Sequence, residues 1–493
     1  MILQVLLGLL AVALLYDYIY PRWYYEYKRK RAGCGTIIKE FSFPFGIRSA
    51  IVFVKNRLTF LDTIGYPSAQ HTTLMQVNTF FIINTADAEN IKALLSTQFD
   101  DFDLGLRHAV LSPFLGNGIF TSEGHSWKYQ RTILRPIFIR ERVSKFDMLE
   151  KHVQRLFTRI DSLTGYTDVQ SMFFLFTLDT SLHFLFDIDH DSFSNASSVL
   201  VTTEGPISAA EFTRALNEAG WFLGMRRLLA RFHKLAWSSR FKRNIRICHA
   251  FADAIVDQVL SNQEKGESFI AEVAASNPDR EFLRDEAFTM FLAGRSTTAS
   301  FLTHLLLDLS QFPEKWAKLR DAVLQDIGPE ASDITFENLK RCSYLQNCLN
   351  ESLRLHPNVP LNARRAKHDT TLPRGGGPDG KEPVFVPKGT NVQYNVYGLQ
   401  RDPRIWGEDA DAFSPERWET TRPPPWAYVP FNGGPRTCLG QQFALTEAGY
   451  VLSRLAQTYP RITPGPIIQN KEYNFSCSLV IKVEPSVDIA FNK

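Results

Sequence analysis

A mainly α-helical protein with a small β-sheet is the fold class this sequence predicts, and three observations predict it. Apolar residues recur at three- and four-residue spacing through stretches such as Phe146 to Leu163 and Ala250 to Leu260. Strand signals are short and few, chiefly Val384-Phe385-Val386 and Asn391-Val392-Gln393-Tyr394, with Pro387-Lys388-Gly389 turning the chain between them. From Ala287 to Leu309 the only formal charges are Arg295 and Asp308, so a helix there is apolar almost all round and belongs in a core, and Phe312-Pro313 stops it.

The composition sets outer limits. The chain has 493 residues, 44% of them hydrophobic, 13% aromatic and 22% charged, which is globular and neither disordered nor fibrous. With 55 Lys and Arg against 52 Asp and Glu the net charge is +3, so no field dominates the surface and a nucleic-acid partner has no electrostatic case. Six scattered cysteines make no disulfide framework and no paired zinc spacing, which fits a reducing compartment.

Taken in order, the first element is apolar from Ile2 to Tyr20 apart from Gln4 and Asp17. Helical at about 1.5 Å per residue, it spans a bilayer core of roughly 30 Å. Residues 1–21 therefore read as a single membrane anchor. Residues 22–34 follow as a basic and aromatic linker, with Trp23, Tyr24, Tyr25 and Tyr27 ahead of Lys28-Arg29-Lys30-Arg31, an interfacial belt with a positive cytosolic flank. A cleavable signal with Ala11-Val12-Ala13 as its site is the rival; no basic residue precedes the apolar run, which continues past that site. With no repeat and no long linker further on, residues 35–493 read as one large domain.

The most informative stretch is Phe431-Asn432-Gly433-Gly434-Pro435-Arg436-Thr437-Cys438-Leu439-Gly440. Its glycines let backbone approach a flat ligand, Arg436 can pair with a carboxylate, and Cys438 can offer a thiolate to a metal. A glycine-rich turn around a buried cysteine is the plainer alternative. Phe431, Gly434, Arg436, Cys438 and Gly440 together, however, resemble the haem-binding signature of the cytochrome P450 superfamily. That resemblance implies a cytochrome P450-like fold and haem b, iron protoporphyrin IX, with Cys438 on the iron.

Other segments resemble the family's marks in the right order. Glu351-Ser352-Leu353-Arg354 sits on an amphipathic pattern ending at His356-Pro357, with acid and arginine one turn apart. Alone this is a surface ion pair of little energetic weight. Pro415-Glu416-Arg417-Trp418 resembles the segment whose arginine joins that pair, which would make Glu351, Arg354 and Arg417 a buried structural network. His125-Ser126-Trp127-Lys128-Tyr129-Gln130-Arg131 resembles the family's third helix, where Trp127 and Arg131 meet haem propionates; the plainer alternative is a cationic helix face. Arg436, Arg364 and His125 are further propionate candidates by the same resemblance.

Ala293-Gly294-Arg295-Ser296-Thr297-Thr298 resembles the oxygen-binding motif of the family's long central helix. By that resemblance Gly294 leaves room beside the haem and the Thr297 hydroxyl helps deliver protons to dioxygen. A mid-helix threonine otherwise just bonds back to the carbonyl four residues earlier. The chain departs from the pattern at Ser296, where the family usually carries an acid. A hydroxyl cannot act as a carboxylate proton donor near neutral pH, so protons would come through water, Thr298 or the substrate.

What the resemblance implies for function is monooxygenation: the Cys438 thiolate favours O–O cleavage, and one oxygen atom enters an unactivated C–H bond. With no fused flavin domain in evidence, electrons are expected from a separate NADPH–cytochrome P450 reductase, with cytochrome b5 as a second donor. The location implied is the endoplasmic reticulum membrane, single-pass, with the catalytic domain cytosolic. Asp103-Leu104-Gly105-Leu106-Arg107 and Pro113 to Thr121 look like the fungal n-alkane and fatty-acid hydroxylase branch, which points to a lipophilic small-molecule substrate. The alternatives are a tailoring monooxygenase of a fungal polyketide or terpenoid pathway, an oxygen-independent haem-thiolate isomerase or dehydratase, and a membrane-tethered haem carrier or gas sensor.

Overall fold

The computed structural model describes residue 12 and residues 19–40, 72–77, 80–138, 144–194, 199–261, 268–477 and 480–493. Apart from a few positions at its end, the expected anchor over 1–21 lies outside them. Two compact units are present, one built from Met1–Gly105, Val359–Ala412 and Arg422–Cys438, the other from Leu106–Asn358, Phe413–Thr421 and Leu439–Lys493.

The first unit is the sheet-bearing one. The stretch expected as a linker is a helix, Tyr20–Arg31, with Pro21 in its first turn and Lys28, Arg29, Lys30 and Arg31 in its last, where cations suit the carbonyl end. Tyr25 fixes it: the ring is buried 5.4 Å from Phe81 and 6.0 Å from Phe385, and its hydroxyl donates to the Phe385 carbonyl at 3.3 Å. Six strands follow in the spatial order Ile38–Glu40, Thr72–Val77, Phe80–Thr85, Asn391–Asn395, Leu361–Ala366 and Phe102–Asp103. Asn391–Asn395 lies parallel to Phe80–Thr85 and antiparallel to Leu361–Ala366, with Val392 opposite Arg364. Both strand signals read from the sequence are strands, yet they do not pair. Glu382–Val386 pairs instead with Thr370–Gly376, because the turn at Pro387–Gly389 carries the chain into a different sheet. Leu74, Ile83, Val386, Val392 and Tyr394 form the core of this unit.

The second unit is helical around one long helix, Arg280–Ser310, the central helix below. It begins two turns before the apolar run, because the Asp279 side chain caps it by accepting from the Phe282 N–H. Its first two residues are exposed, and Leu283 to Ser310 is mostly buried. Val169–Phe186 packs along it and is the one helix among the described residues long and apolar enough to cross a membrane; 67% of it is buried in the protein, as a core helix should be. The periodic stretches form Phe146–Asp161 and Ser239–Ser261.

Candidate active site

In the first unit the loop after Val429 folds around its own backbone. Asn432 and Gly434 take positive φ (63° and 64°), and a Cβ at Gly434 would run into the Leu95 carbonyl oxygen, so only glycine lets these segments meet. The Cys438 N–H donates to the Phe431 carbonyl at 3.0 Å, Asn432 Nδ2 donates to the Arg436 carbonyl at 3.1 Å, and the Tyr394 hydroxyl donates to Asn432 Oδ1 at 3.0 Å. Together these bonds hold the tip on which Cys438 sits.

The cysteines sort themselves chemically. Cys34, Cys248, Cys342 and Cys348 are buried, and burial pushes every one of their thiols up, that of Cys342 to about 11. At neutral pH they are inert thiols. Cys438 is exposed and carries no disulfide, which leaves it, among the described cysteine side chains, the one able to reach a metal. On the neighbouring strands Arg364 is buried, with its guanidinium 5.6 Å from the centre of the Tyr394 ring and Nη1 donating to the Ala363 carbonyl at 2.9 Å. Its Nε has no partner in the protein. A buried guanidinium N–H left over beside a thiol-bearing loop fits a porphyrin, whose propionates would take that N–H while the sulfur takes the iron.

In the second unit, Trp127 is buried on the helix Gly124–Leu134, the Arg131 guanidinium lies 5.9 Å from its ring, and His125 is exposed. On the central helix the Thr297 hydroxyl donates to the Ala293 carbonyl at 2.7 Å, the back-bonded posture of an idle threonine, whereas Thr298 Oγ1 is buried without a partner. Ser296 is half-buried. A Cβ at Gly294 would meet nothing closer than Ser181 Oγ at 3.4 Å, and one at Gly440 only Phe138 at 3.9 Å. The protein's own packing therefore demands glycine at neither place.

Glu351, Arg354 and Arg417 come together. Both ends of the Glu351–Arg354 pair are fully buried, with Nε to Oε2 at 2.9 Å and Nη2 to Oε1 at 2.8 Å. Arg417 Nε reaches Oε1 at 3.4 Å. Sequence reasoning missed two further donors, the Ser414 N–H at 2.9 Å and Trp418 Nε1 at 3.0 Å.

It also missed two buried acids. Glu447, on the helix Gln441–Thr458, is pushed up to about 7 by burial against the pull of the nearby Thr180 hydroxyl, and its Oε1 and Thr180 Oγ1 both lack a hydrogen-bond partner. Glu286 is pushed up to about 8 by burial, although its Oε2 accepts from the Ile119 N–H at 3.4 Å. Only the apolar company of each acid in sequence hinted at this. Raised acids make the native state hold protons the unfolded chain has released, so stability falls as pH rises toward the folded value. His152, lowered to about 4, works the other way, but only below about pH 6.5 where unfolded histidine is charged. Between pH 6.5 and 8 the holoprotein should thus lose on the order of 2 kcal/mol through Glu286, a slope that thermal melts of Glu286→Gln should lack. Parallel slopes in the two proteins would refute it.

A cysteine-tipped loop beside a buried arginine is the arrangement a haem-thiolate oxidoreductase requires. Comparison with known proteins agrees: the cytochrome P450 family model matches residues 71–484, and the chain belongs to that family. It is a cytochrome P450 monooxygenase with a haem-thiolate cofactor. Among its relatives it is 45% identical to cytochrome P450 52A4 of Candida maltosa over 396 residues, 78% of this chain and 74% of that one. To cytochrome P450 52E1 of Candida apicola and cytochrome P450 52A12 of Debaryomyces hansenii it is 40% and 39% identical, each over 92% of both chains.

Proposed function

We propose that this monooxygenase hydroxylates a long lipophilic chain, a fatty acid or n-alkane, using dioxygen and NADPH-derived electrons from NADPH–cytochrome P450 reductase, with cytochrome b5 as a second donor. Haem b is the group Cys438 would hold, with Arg364, Arg436, Trp127, Arg131 and His125 as propionate partners; when bound it supplies the oxygen activation. The single observation that carries the reading is Cys438, exposed on a bonded loop while the other described cysteines are buried as inert thiols. The two segments that resemble the alkane and fatty-acid branch support the substrate class. Both segments have structural work. Asp103 pairs with Arg365 at 2.8 Å and accepts from the Gly105 N–H at 2.8 Å, and the 116–121 turn is pinned to the central helix by the Asn117 N–H on Asp285 Oδ2 at 2.7 Å. On the helix Ala209–Leu229 Leu223 is buried and Phe222 and Met225 are half-buried, apolar candidates to line the path of a chain substrate. The enzyme sits on the endoplasmic reticulum membrane through its first residues, a placement the exposed Trp23 and Tyr27 ahead of the basic turn support.

Proton handling falls to residues of the second unit. Ser296 offers a hydroxyl rather than a carboxylic acid, so the proposed source is Glu447, protonated to about pH 7. Its unpartnered Oε1 and Thr180 Oγ1 call for a bridging water, and Ser181, next in line, is the side chain nearest Gly294. Placing an acid nearer should help: Ser296→Asp is expected to raise product formed per NADPH consumed by roughly two- to ten-fold, less than the roughly 10²–10⁴-fold of an ideally positioned acid. Unchanged or poorer coupling would remove the case for a proton deficit. The reading as a whole is tested by substrate-binding difference spectroscopy with fatty acids, alkanes and polyketides; binding and oxidation of the first two carries it, and a response to polyketides alone overturns it.

A further inference from the structure

Arg295 belongs to the same hexapeptide as Thr297 but serves the other flank of the helix. Two residues at 100° each put their side chains about 200° apart, so Arg295 turns away from the threonine face. It is 1% exposed, packed against Val169–Phe186, Ala209–Leu229 and Ser239–Ser261 through Phe174, Thr213 and Cys248. Its guanidinium carbon lies 5.3 Å from the centre of the Phe174 ring, and Lys482 Nζ lies 4.7 Å from the centre of the same ring. Two cations thus address one aromatic side chain.

Among the described residues nothing neutralises them. Arg295 Nη2 makes only a long 3.4 Å bond to the Thr213 hydroxyl, and its buried Nε and Nη1 have no partner. Lys482 Nζ makes only a 3.4 Å bond to Asn217 Oδ1. The nearby Cys248 thiol stays neutral because burial pushes it up. Glu484 is close enough to be felt by Lys482, but its Oε1 accepts from the Ser476 hydroxyl at 3.0 Å. Among the described residues no carboxylate comes within 4 Å of either cation. Burial lowers Arg295 only to about 10, so it remains charged at neutral pH. An uncompensated interior charge is among the costliest features a fold can keep.

We propose that Arg295, Lys482 and the Asn217 amide form a binding site for a small monovalent anion of the chloride class. The unpartnered guanidinium N–H groups and the ammonium supply donors of one sign, and the Asn217 amide lies beside the ammonium. Lys482 is half-exposed and Asn217 exposed, which gives entry from solvent. A substrate carboxylate has the same chemistry, but Arg295 faces away from the threonine face, so the ion is drawn from the medium. Once bound, it ties the central helix to the three helices and the Ile481–Glu484 strand around it.

The test is thermal unfolding of the holoenzyme at constant ionic strength, with chloride replacing gluconate, and with no substrate, a fatty acid or an alkane present. The expected result is a saturable rise in Tm of roughly 1–3 °C with chloride alone, equal in all three conditions. Arg295→Met should abolish the rise and Lys482→Met should shift its midpoint to higher chloride. Bromide-soaked crystals of the wild-type enzyme should show an anomalous peak beside Arg295, a readout that holds even where a variant folds poorly. A Tm indifferent to chloride, a rise retained in Arg295→Met, or stabilisation by fatty acid only would each overturn the proposal.

Discussion

Cys438→Ser is expected to abolish the thiolate signature of the reduced, carbon-monoxide-bound protein and to cut product formation by about 10³-fold or more, since alkoxide oxygen cannot replace sulfur in pushing electron density toward O–O cleavage. The loop should survive, because the bonds that shape it use the Cys438 N–H and the side chains of Asn432 and Tyr394, none of them the sulfur. The expected product is therefore a folded protein with altered or missing haem. Cys34→Ser is the matched control: its thiol is buried and pushed up, so the spectrum should keep its thiolate band. A Cys438→Ser protein that retained that band would show that another sulfur holds the iron.

What could be read from the sequence was what local chemistry decides. The Phe431–Gly440 loop is legible because its positive-φ glycine, its arginine and its sulfur sit within ten residues. The Glu351–Arg354 pair is legible because one helical turn separates the two. Burial of that pair is not, since it depends on Ser414, Arg417 and Trp418 arriving from more than sixty residues away. The strands at Val384 and Asn391 announce themselves by β-branched and aromatic residues, but their partners are fixed by long-range pairing that no local pattern encodes. Glu286 and Glu447 are the hardest case. An acid within a helix reads as a solvated position until neighbouring helices close over it, and only then does its proton affinity become a functional property. Tyr25 shows the same limit in reverse: it reads as one member of an interfacial belt, yet alone among those rings it is turned inward onto Phe81 and Phe385.

Glu351→Ala should be the most damaging change away from the sulfur. The carboxylate accepts from Arg354 twice, from Arg417, from the Ser414 N–H and from Trp418 Nε1, so its removal takes from a fully buried guanidinium and three further donors the anion they share. Breaking such a pair from one side costs about 3–5 kcal/mol, because the remaining charge is left in a low-dielectric interior. For a chain of 493 residues that is roughly a 3–5 °C drop in Tm, accompanied by haem loss on purification. Glu351→Gln keeps the shape and two acceptor lone pairs and should fall between, while Arg354→Lys forfeits the two-pronged geometry and should resemble the alanine variant. If the network only supports the fold, whatever holoprotein survives in Glu351→Gln will show unchanged KM and the same products as wild type. A Glu351→Ala protein melting within 1 °C of wild type would mean the network contributes nothing, and a shifted product pattern in Glu351→Gln would mean that it reaches the chemistry after all.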